Sequence, residues 1–317
     1  MTRPVLVGYD PETLDHAPVH FGVAVARVTG APLVVASVDA GILRPADWRE
    51  QAHRRATDEV DDDLVADCTE TLGLMEEELR DSGVPYECRK LRGRSAAAAL
   101  HDAAADAGLL VVGSTTRGGI GRVLLGSTAE RLLQGAPCPV AVAPRRWTLG
   151  AEIATIGAAY VDAEESRSGL RAAYLLAHRA GAKLRVITVV HVPPTASLET
   201  EAQTHAQRAT TLLDVLGEHQ LVAERSAKRA LAELGGDVEA SVESFIGDPA
   251  EVLVDLSTHL DVLVCGSRGY GPLGAVLLGG ISRRLLSGAR CPVIVLPRGA
   301  QRPLEDLLAT PEAAVAA

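Results

Sequence analysis

The chain has few aromatic residues and no long block of basic ones, and both shortages argue against nucleic acid binding. Phe, Trp and Tyr together make up 3% of the 317 residues. Lys and Arg number 31 against 41 Asp and Glu, so the formal net charge is -10. Because nucleic-acid-binding surfaces normally combine a basic stripe with stacking aromatics, we expect no nucleic acid partner.

Cysteine is also scarce, and uninterrupted apolar runs are short. The five cysteines are an odd number without CxxC spacing, which favours reduced thiols over a disulfide framework. No window of about 18 residues is both apolar and uncharged, as a membrane-spanning helix requires. The N-terminus lacks a signal-peptide pattern. The sequence therefore predicts a cytoplasmic protein without membrane association.

An internal repeat is the most informative feature that is present. Residues 113–145 and 266–298 align without a gap at an offset of 153, and about 19 of the 33 aligned positions are identical. Apolar strand-like runs and helix-like stretches alternate in the same order in both halves. That alternation is typical of a parallel sheet covered by helices on both faces. We predict one domain over residues 1–147, a second over 152–298, and a short unpacked C-terminal tail over 299–317.

Each repeat carries a glycine-rich loop between an apolar strand and a helix. Gly113 and Gly266 end the strands, and Gly126 and Gly279 precede the helices. Glycine allows a close approach of the backbone to a ligand, and the free N–H groups of a helix start favour an anion. The alternative is that these glycines only turn the chain, and spacing alone does not decide between the two.

Short motifs around the loops match several alternative functions only in part. Ser127 and Glu130 match the S-x-x-E capping box, so Ser127 is also interpretable as a helix cap. No Walker-type G-x4-G-K-[ST] string and no G-x-S-x-G elbow occur. The string Gly269-x-Gly271-x-x-Gly274 matches the dinucleotide fingerprint but is interrupted by Pro272 and lacks the acidic residue that should follow.

The repeated segment resembles the signature of the universal stress protein family, G-x2-G-x9-G-[ST] followed by a helix and a Cys-Pro-Val strand. The tandem arrangement is similar to the two-domain actinobacterial type, over residues 3–146 and 152–298. This resemblance implies an α/β fold of two tandem doubly wound domains, each a five-stranded parallel sheet flanked by helices. It also implies ATP binding, with adenine near the ends of the first two strands and phosphates on the loop.

Transferred by position, the resemblance implies nucleotide-binding residues in both halves, for ATP or a related adenine nucleotide with or without Mg²⁺. In the first half these are Asp10, Val38, Gly113, Gly126, Ser127 and Thr128. In the second half they are Asp162, Gly266, Ser267, Arg268, Gly269, Gly279, Gly280 and Ser282.

The two sets depart from the family pattern in different ways. Thr116 occupies the second glycine position of the first loop, and Gly280 stands where Ser or Thr is expected in the second. Val161 is in register with Asp10 when Tyr9 is set on Tyr160, so Asp162 lies one residue late. We therefore expect two unequal sites, with the better acid in the first half and the stronger phosphate loop in the second.

Three functions stay open from the sequence. The favoured one is a cytoplasmic tandem stress protein that binds ATP and regulates or protects through its nucleotide state. The alternative is a dimerisation or interaction module with degenerate loops. A dedicated ATP hydrolase is the third, and we expect no enzyme beyond slow or incidental turnover because the sequence places no general base. The free edge of the last strand predicts a homodimer or an intrachain pseudo-dimer.

A pair of histidines has a spacing that metal sites use. His16 and His20 are four residues apart on a predicted helix. Pro18 lies between them and no Glu or Cys is nearby in the sequence, so exposed helix histidines are the favoured interpretation. The acidic run Glu76–Glu78 is likewise interpreted as a solvated helix face.

Overall fold

The computed structural model describes residues 3–11, 13, 15–39, 73, 75–114, 126–145, 147–191, 205–266, 280–297 and 304–308. The strands of the first half are β1 (Val5–Tyr9), β2 (Leu33–Asp39), β3 (Tyr86–Arg92), β4 (Leu109–Gly113) and β5 (Val140–Ala143). Those of the second half are β6 (Thr155–Ala159), β7 (Lys183–His191), β8 (Ala240–Gly247), β9 (Val262–Gly266) and β10 (Val293–Leu296).

Helices separate most of these strands. The first half contains α1 (Ala17–Thr29), α2 (residues 75–80), α3 (Ala96–Ala103) and α4 (Ser127–Gly135). The second half contains α5 (Glu164–Ala180), α6 (His205–Ala232), α7 (Pro249–Leu256) and α8 (Gly280–Leu286), and α9 (Glu305–Leu308) follows. Short 3-10 turns, Ala104–Asp106 and Ser257–His259, continue α3 and α7.

The strands form one ten-stranded sheet in the order β3-β2-β1-β4-β5-β10-β9-β6-β7-β8. Within each half every neighbouring pair is parallel, which confirms the predicted five-stranded parallel sheets. The halves meet where β5 pairs antiparallel with β10, with Val142 opposite Val293. The last strands therefore cover each other's edges within one chain, as the intrachain pseudo-dimer requires.

The sheet is covered on both faces, because its central strands are apolar at consecutive positions. Val5 and Val7 of β1 face a core layer that includes residues of α1, α2, α5 and α6. Leu6, between them, faces a second layer built largely from α3, α4, α7 and α8. Helices on both faces are what a parallel sheet needs to bury such strands.

The strand register relates the two halves residue by residue. Val5 pairs with Leu109 and Ile156 pairs with Val262, so the first strands correspond at an offset of 151 rather than 153. Gly30 and Gly181 end α1 and α5 at the same offset, both with left-handed backbone at φ 67° and 64°. Val161 is thus the structural counterpart of Asp10, as the alignment on Tyr9 predicts.

The expectation of an unpacked tail after residue 298 is wrong for residues 304–308. Leu304, Leu307 and Leu308 are buried in the core layer that contains α1 and α5. Arg179 of α5 donates a hydrogen bond to the carbonyl of Leu308 at 2.6 Å. Three leucines in one helical turn bury enough apolar area to hold this segment against the domain.

Candidate functional site

The carboxyl ends of β1, β2 and β4 lie side by side, because β1 pairs in parallel with both neighbours. Asp10 follows β1 directly and is exposed, and Val38 near the end of β2 is half-buried. Gly113 is the last residue of β4. Three of the predicted first-half residues are therefore brought to one edge of the sheet, where open α/β sheets bind ligands.

Two of the predicted glycines are needed for packing. A Cβ atom on Gly113 would lie 2.9 Å from Cγ of Pro18 at the start of α1. On Gly266 it would lie 2.4 Å from the backbone carbonyl oxygen of Glu165 at the start of α5. The first turn of each helix rests directly on the strand end, so both glycines have a role that does not depend on a ligand.

The start of α4 has no side-chain cap. Its N-cap is Gly126, with extended backbone at φ -80° and ψ 162°, and Ser127 is already the first helical residue. The predicted capping box is wrong, because its serine would have to occupy the N-cap position. Glu130 instead forms an ion pair with Arg283 of α8 at 3.0 Å. No side chain of the described residues caps the amides of residues 127 and 128, so these amides can donate hydrogen bonds to an anion.

Buried polar atoms without partners mark the same edge of the sheet. Ser37 Oγ of β2 and Ser114 Oγ, immediately after β4, are buried and have no hydrogen-bond partner among the described residues. Asp15 Oδ2 near Gly113 accepts no hydrogen bond from the described residues and is ion-paired with Arg145 at 3.7 Å, and burial raises the pKa of Asp15 against the opposing effects of the Ala17 amide and of Arg145. Buried polar groups are nearly always hydrogen-bonded, so these atoms fit a polar ligand.

These hydroxyls were missed from the sequence, although one signal was available. Ser114 corresponds to Ser267 at the repeat offset of 153, and Ser267 is among the predicted residues. Ser37 carries no motif and is identified only by its burial at a strand end.

The second half presents a different arrangement. Asp162 is exposed and accepts a hydrogen bond from Arg167 at 2.8 Å, which lowers the pKa of Asp162. Gly280 is the first residue of α8, where an added Cβ would meet no atom of the described residues within 4 Å, and Ser282 is half-buried on the same helix. Ser267, Arg268, Gly269 and Gly279 lie outside the described residues, as does Thr116. The superiority of the second loop therefore stays a prediction.

The histidine pair is not an exposed pair, contrary to the expectation. His16 Nδ1 and His20 Nε2 lie 2.9 and 3.1 Å from the two carboxylate oxygens of Glu78, a residue of α2. Glu76 and Glu77 are exposed as predicted, but Glu78 turns inward. The sequence did not reveal this partner because it is separated from the histidines by 62 and 58 residues.

A cavity of about 430 Å³ lies elsewhere, between α7 and α8. It contains none of the predicted site residues; it is lined by Ala250, Glu251, Val254, Asp255, Arg284 and Gly288. Arg284 is held there by ion pairs to Asp248 and Glu251, at 2.8 and 3.2 Å. The groove is therefore separate from the strand-end site. Among the described helices none is long and apolar enough to cross a membrane.

Comparison with known proteins agrees with this architecture. The universal stress protein family model matches residues 1–144 and again residues 153–297. A universal stress protein of Mycobacterium tuberculosis is 29% identical over 309 residues, covering 92% of this chain and 99% of that protein. One from Mycolicibacterium smegmatis is 29% identical over 316 residues, covering 92% and 96%.

Solved structures share the fold at low identity. A putative universal stress protein of Pseudomonas aeruginosa superimposes with a TM-score of 0.62 at 19% identity, covering 96% of this chain and 95% of that one. A universal stress protein of Archaeoglobus fulgidus gives a TM-score of 0.62 at 18% identity, covering 94% and 100%. The double match over nearly the whole chain places this protein in the universal stress protein family, with two family domains in tandem.

Proposed function

We propose that this protein binds an adenine nucleotide, ATP with or without Mg²⁺, at the strand ends of its first half and acts in the stress response through its nucleotide state. The observation that carries the proposal is the buried hydroxyl of Ser114 immediately after β4, which has no hydrogen-bond partner among the described residues and lies on the side of the sheet that α4 covers. The uncapped start of α4 lies on the same chain segment that follows β4. Together they supply a hydroxyl donor and backbone amides, which are the groups that hold phosphate.

Each predicted residue has a distinct part in this proposal. The amides of Ser127 and Thr128 would meet phosphate oxygens, and the N-cap position of Gly126 would let the ligand approach closely. Asp10 would accept hydrogen bonds from the nucleoside, and Val38 would contact the base. A bound Mg²⁺ would supply charge neutralisation of the phosphates.

A matched pair of variants tests the proposal and identifies the half that binds. Ser127→Asp and Gly280→Asp place a carboxylate at equivalent first positions of α4 and α8. An acid at a helix start favours the helix, so neither change should harm the fold. The same charge repels phosphate, so Ser127→Asp should weaken ATP binding in isothermal titration by at least about tenfold, or about 1.4 kcal/mol.

The outcomes separate the alternatives. Loss of binding in Gly280→Asp alone would move the site to the second half. Absence of binding to the unmodified protein at millimolar ATP, together with stable self-association, would support the interaction module instead. The ion pair of Asp162 with Arg167 favours that module for the second half, because it occupies the acid that would otherwise face a ligand.

We propose a binding role rather than a catalytic one. Single-turnover release of phosphate from ATP above the background rate, lost in Asp10→Asn, would overturn this part of the proposal.

A further inference from the structure

Three side chains of metal-binding types lie close together beside β1, although one of them is distant in the sequence from the other two. We propose that His16, His20 and Glu78 form a site for a divalent transition-metal ion of the zinc class, separate from the nucleotide site and independent of it. One ligand atom from each residue lies within 4.8 Å of the others.

The spacing of these atoms is close to that of a metal site. Glu78 Oε1 lies 2.9 Å from His16 Nδ1, and Glu78 Oε2 lies 3.1 Å from His20 Nε2. In a tetrahedral zinc site with bonds of about 2.0–2.1 Å, neighbouring ligand atoms are about 3.3 Å apart. The ion would replace both hydrogen bonds, and the side chains would rotate to bring the two nitrogens, now within 4.8 Å of each other, onto one centre with the carboxylate.

The elements that carry the ligands are fixed to one another by contacts outside the site. His16 is the N-cap of α1 and His20 lies one turn later, with a 3.0 Å hydrogen bond from the His20 amide to the His16 carbonyl. On α2, Met75 and Leu79 flank Glu78 and are buried in the core shared with α1. At the far end of α1, the Arg27 guanidinium donates two hydrogen bonds to the Ser82 carbonyl, at 3.0 and 2.9 Å.

The donor set selects the kind of ion. Two imidazole nitrogens and one carboxylate match the ligands of zinc and neighbouring transition metals, whereas Mg²⁺ and Ca²⁺ prefer oxygen ligands only. Three protein ligands leave a further coordination position. The site is accessible to an ion from solution, because 30% of the His16 side chain and 37% of the Glu78 side chain are exposed.

The second half lacks the same set, which restricts the proposed site to the first half. At the offset of 151 given by the strand register, Arg167 corresponds to His16 and Arg171 to His20. Arginine cannot ligate a metal because it stays protonated. Arg167 is instead paired with Asp162. The ion would thus join α1 to α2 beside Tyr9, whose ring lies 5.9 Å from that of His16.

Titration of the nucleotide-free, full-length protein with Co²⁺ tests the proposal, because Co²⁺ has visible absorption bands that report its ligands. We expect saturation at one ion per chain, displacement by Zn²⁺, and no thiolate-to-cobalt charge-transfer band. Binding of Zn²⁺ should also raise the melting temperature, since the ion binds the folded state.

Variants locate the ion. His16→Gln and Glu78→Gln should each weaken binding by at least about 100-fold, since losing even outer partners of a metal site costs about 10- to 100-fold. His178→Gln on α5 is the control and should bind as the unmodified protein does. Circular dichroism of each variant shows whether it folds. We expect His16→Gln to fold, because the side chain that it changes is partly exposed. Affinity in both site variants equal to that of the unmodified protein, a thiolate band, or no Co²⁺ binding would overturn the proposal.

Discussion

Alanine substitutions of the strand-end glycines Gly113 and Gly266 test whether these positions are glycine because of helix packing. In Gly266→Ala the new Cβ would lie 2.4 Å from the Glu165 carbonyl oxygen, 2.8 Å from its carbonyl carbon and 3.3 Å from its Cβ. Two of these three atoms belong to the backbone, so the first turn of α5 must move away from β9. Overpacking of this kind costs about 1–3 kcal/mol, and we expect the upper part of that range.

The expected result is a lower melting temperature. For a unit of about 150–250 residues, 1 kcal/mol shifts the melting temperature by about 2–4 °C, so a loss of about 2–3 kcal/mol corresponds to about 4–12 °C. Gly113→Ala should lose less, because its nearest contact, at 2.9 Å, is a side-chain atom of Pro18. Thermal melts followed by circular dichroism, without nucleotide, measure both changes.

Gly280→Ala is the matched control. Gly280 lies at the start of α8, and an added methyl group meets no atom within 4 Å in the part of the chain that the structure describes. Its stability should stay within about 0.5 kcal/mol of the unmodified protein. If Gly266→Ala melts at the same temperature as Gly280→Ala, the close approach of α5 to β9 does not determine the identity of residue 266, and our packing argument is refuted.

Two further predictions concern charge and thiols. Arg185 donates two hydrogen bonds to Glu243 at 2.7 and 2.8 Å and lowers its pKa, so Glu243→Gln should lose about 1 kcal/mol in urea unfolding. A lowered acid pKa stabilises the folded state only while the acid is ionised. This difference should therefore be fully present above the ordinary value of 4.5 and be lost as the pH falls through the lowered pKa of Glu243. Burial raises the pKa of the Cys138 and Cys265 thiols to about 12 and also raises that of Cys291, so a thiol reagent at neutral pH should modify these three only after unfolding. Their modification in the folded protein at the rate of a free thiol would contradict the burial.

The sequence predicted the repeated architecture well because the relevant signals are local. The apolar run of β1 and the segment 113–145 are continuous in sequence, and helix–strand alternation indicates parallel pairing without any long-range information. The edge pairing of β5 with β10 within one chain was one of two arrangements that the family resemblance implied, the other being a homodimer. The four described cysteines are free, as the odd count predicts.

Features that depend on distant contacts or on backbone position were not predictable. Ser127 matches the capping-box motif, but the motif does not reveal that the helix starts one residue earlier, with Gly126 as the N-cap. Glu78 belongs to an acidic run, and only the packing of α2 on α1 turns it toward the histidines. The burial of Leu307 depends on a surface that other segments provide. Gly108 is part of that surface, because a Cβ atom added to Gly108 would lie 2.8 Å from Cδ1 of Leu307.

The most direct test of the central claim is the structure of this protein with a non-hydrolysable ATP analogue at saturating concentration. We predict the nucleotide at the carboxyl ends of β1, β2 and β4, with phosphate oxygens on the amides at the start of α4 and a hydrogen bond from Ser114 to the ligand or its bound water. A nucleotide in the groove between α7 and α8, or unchanged and unoccupied strand ends at saturating analogue, would contradict the account.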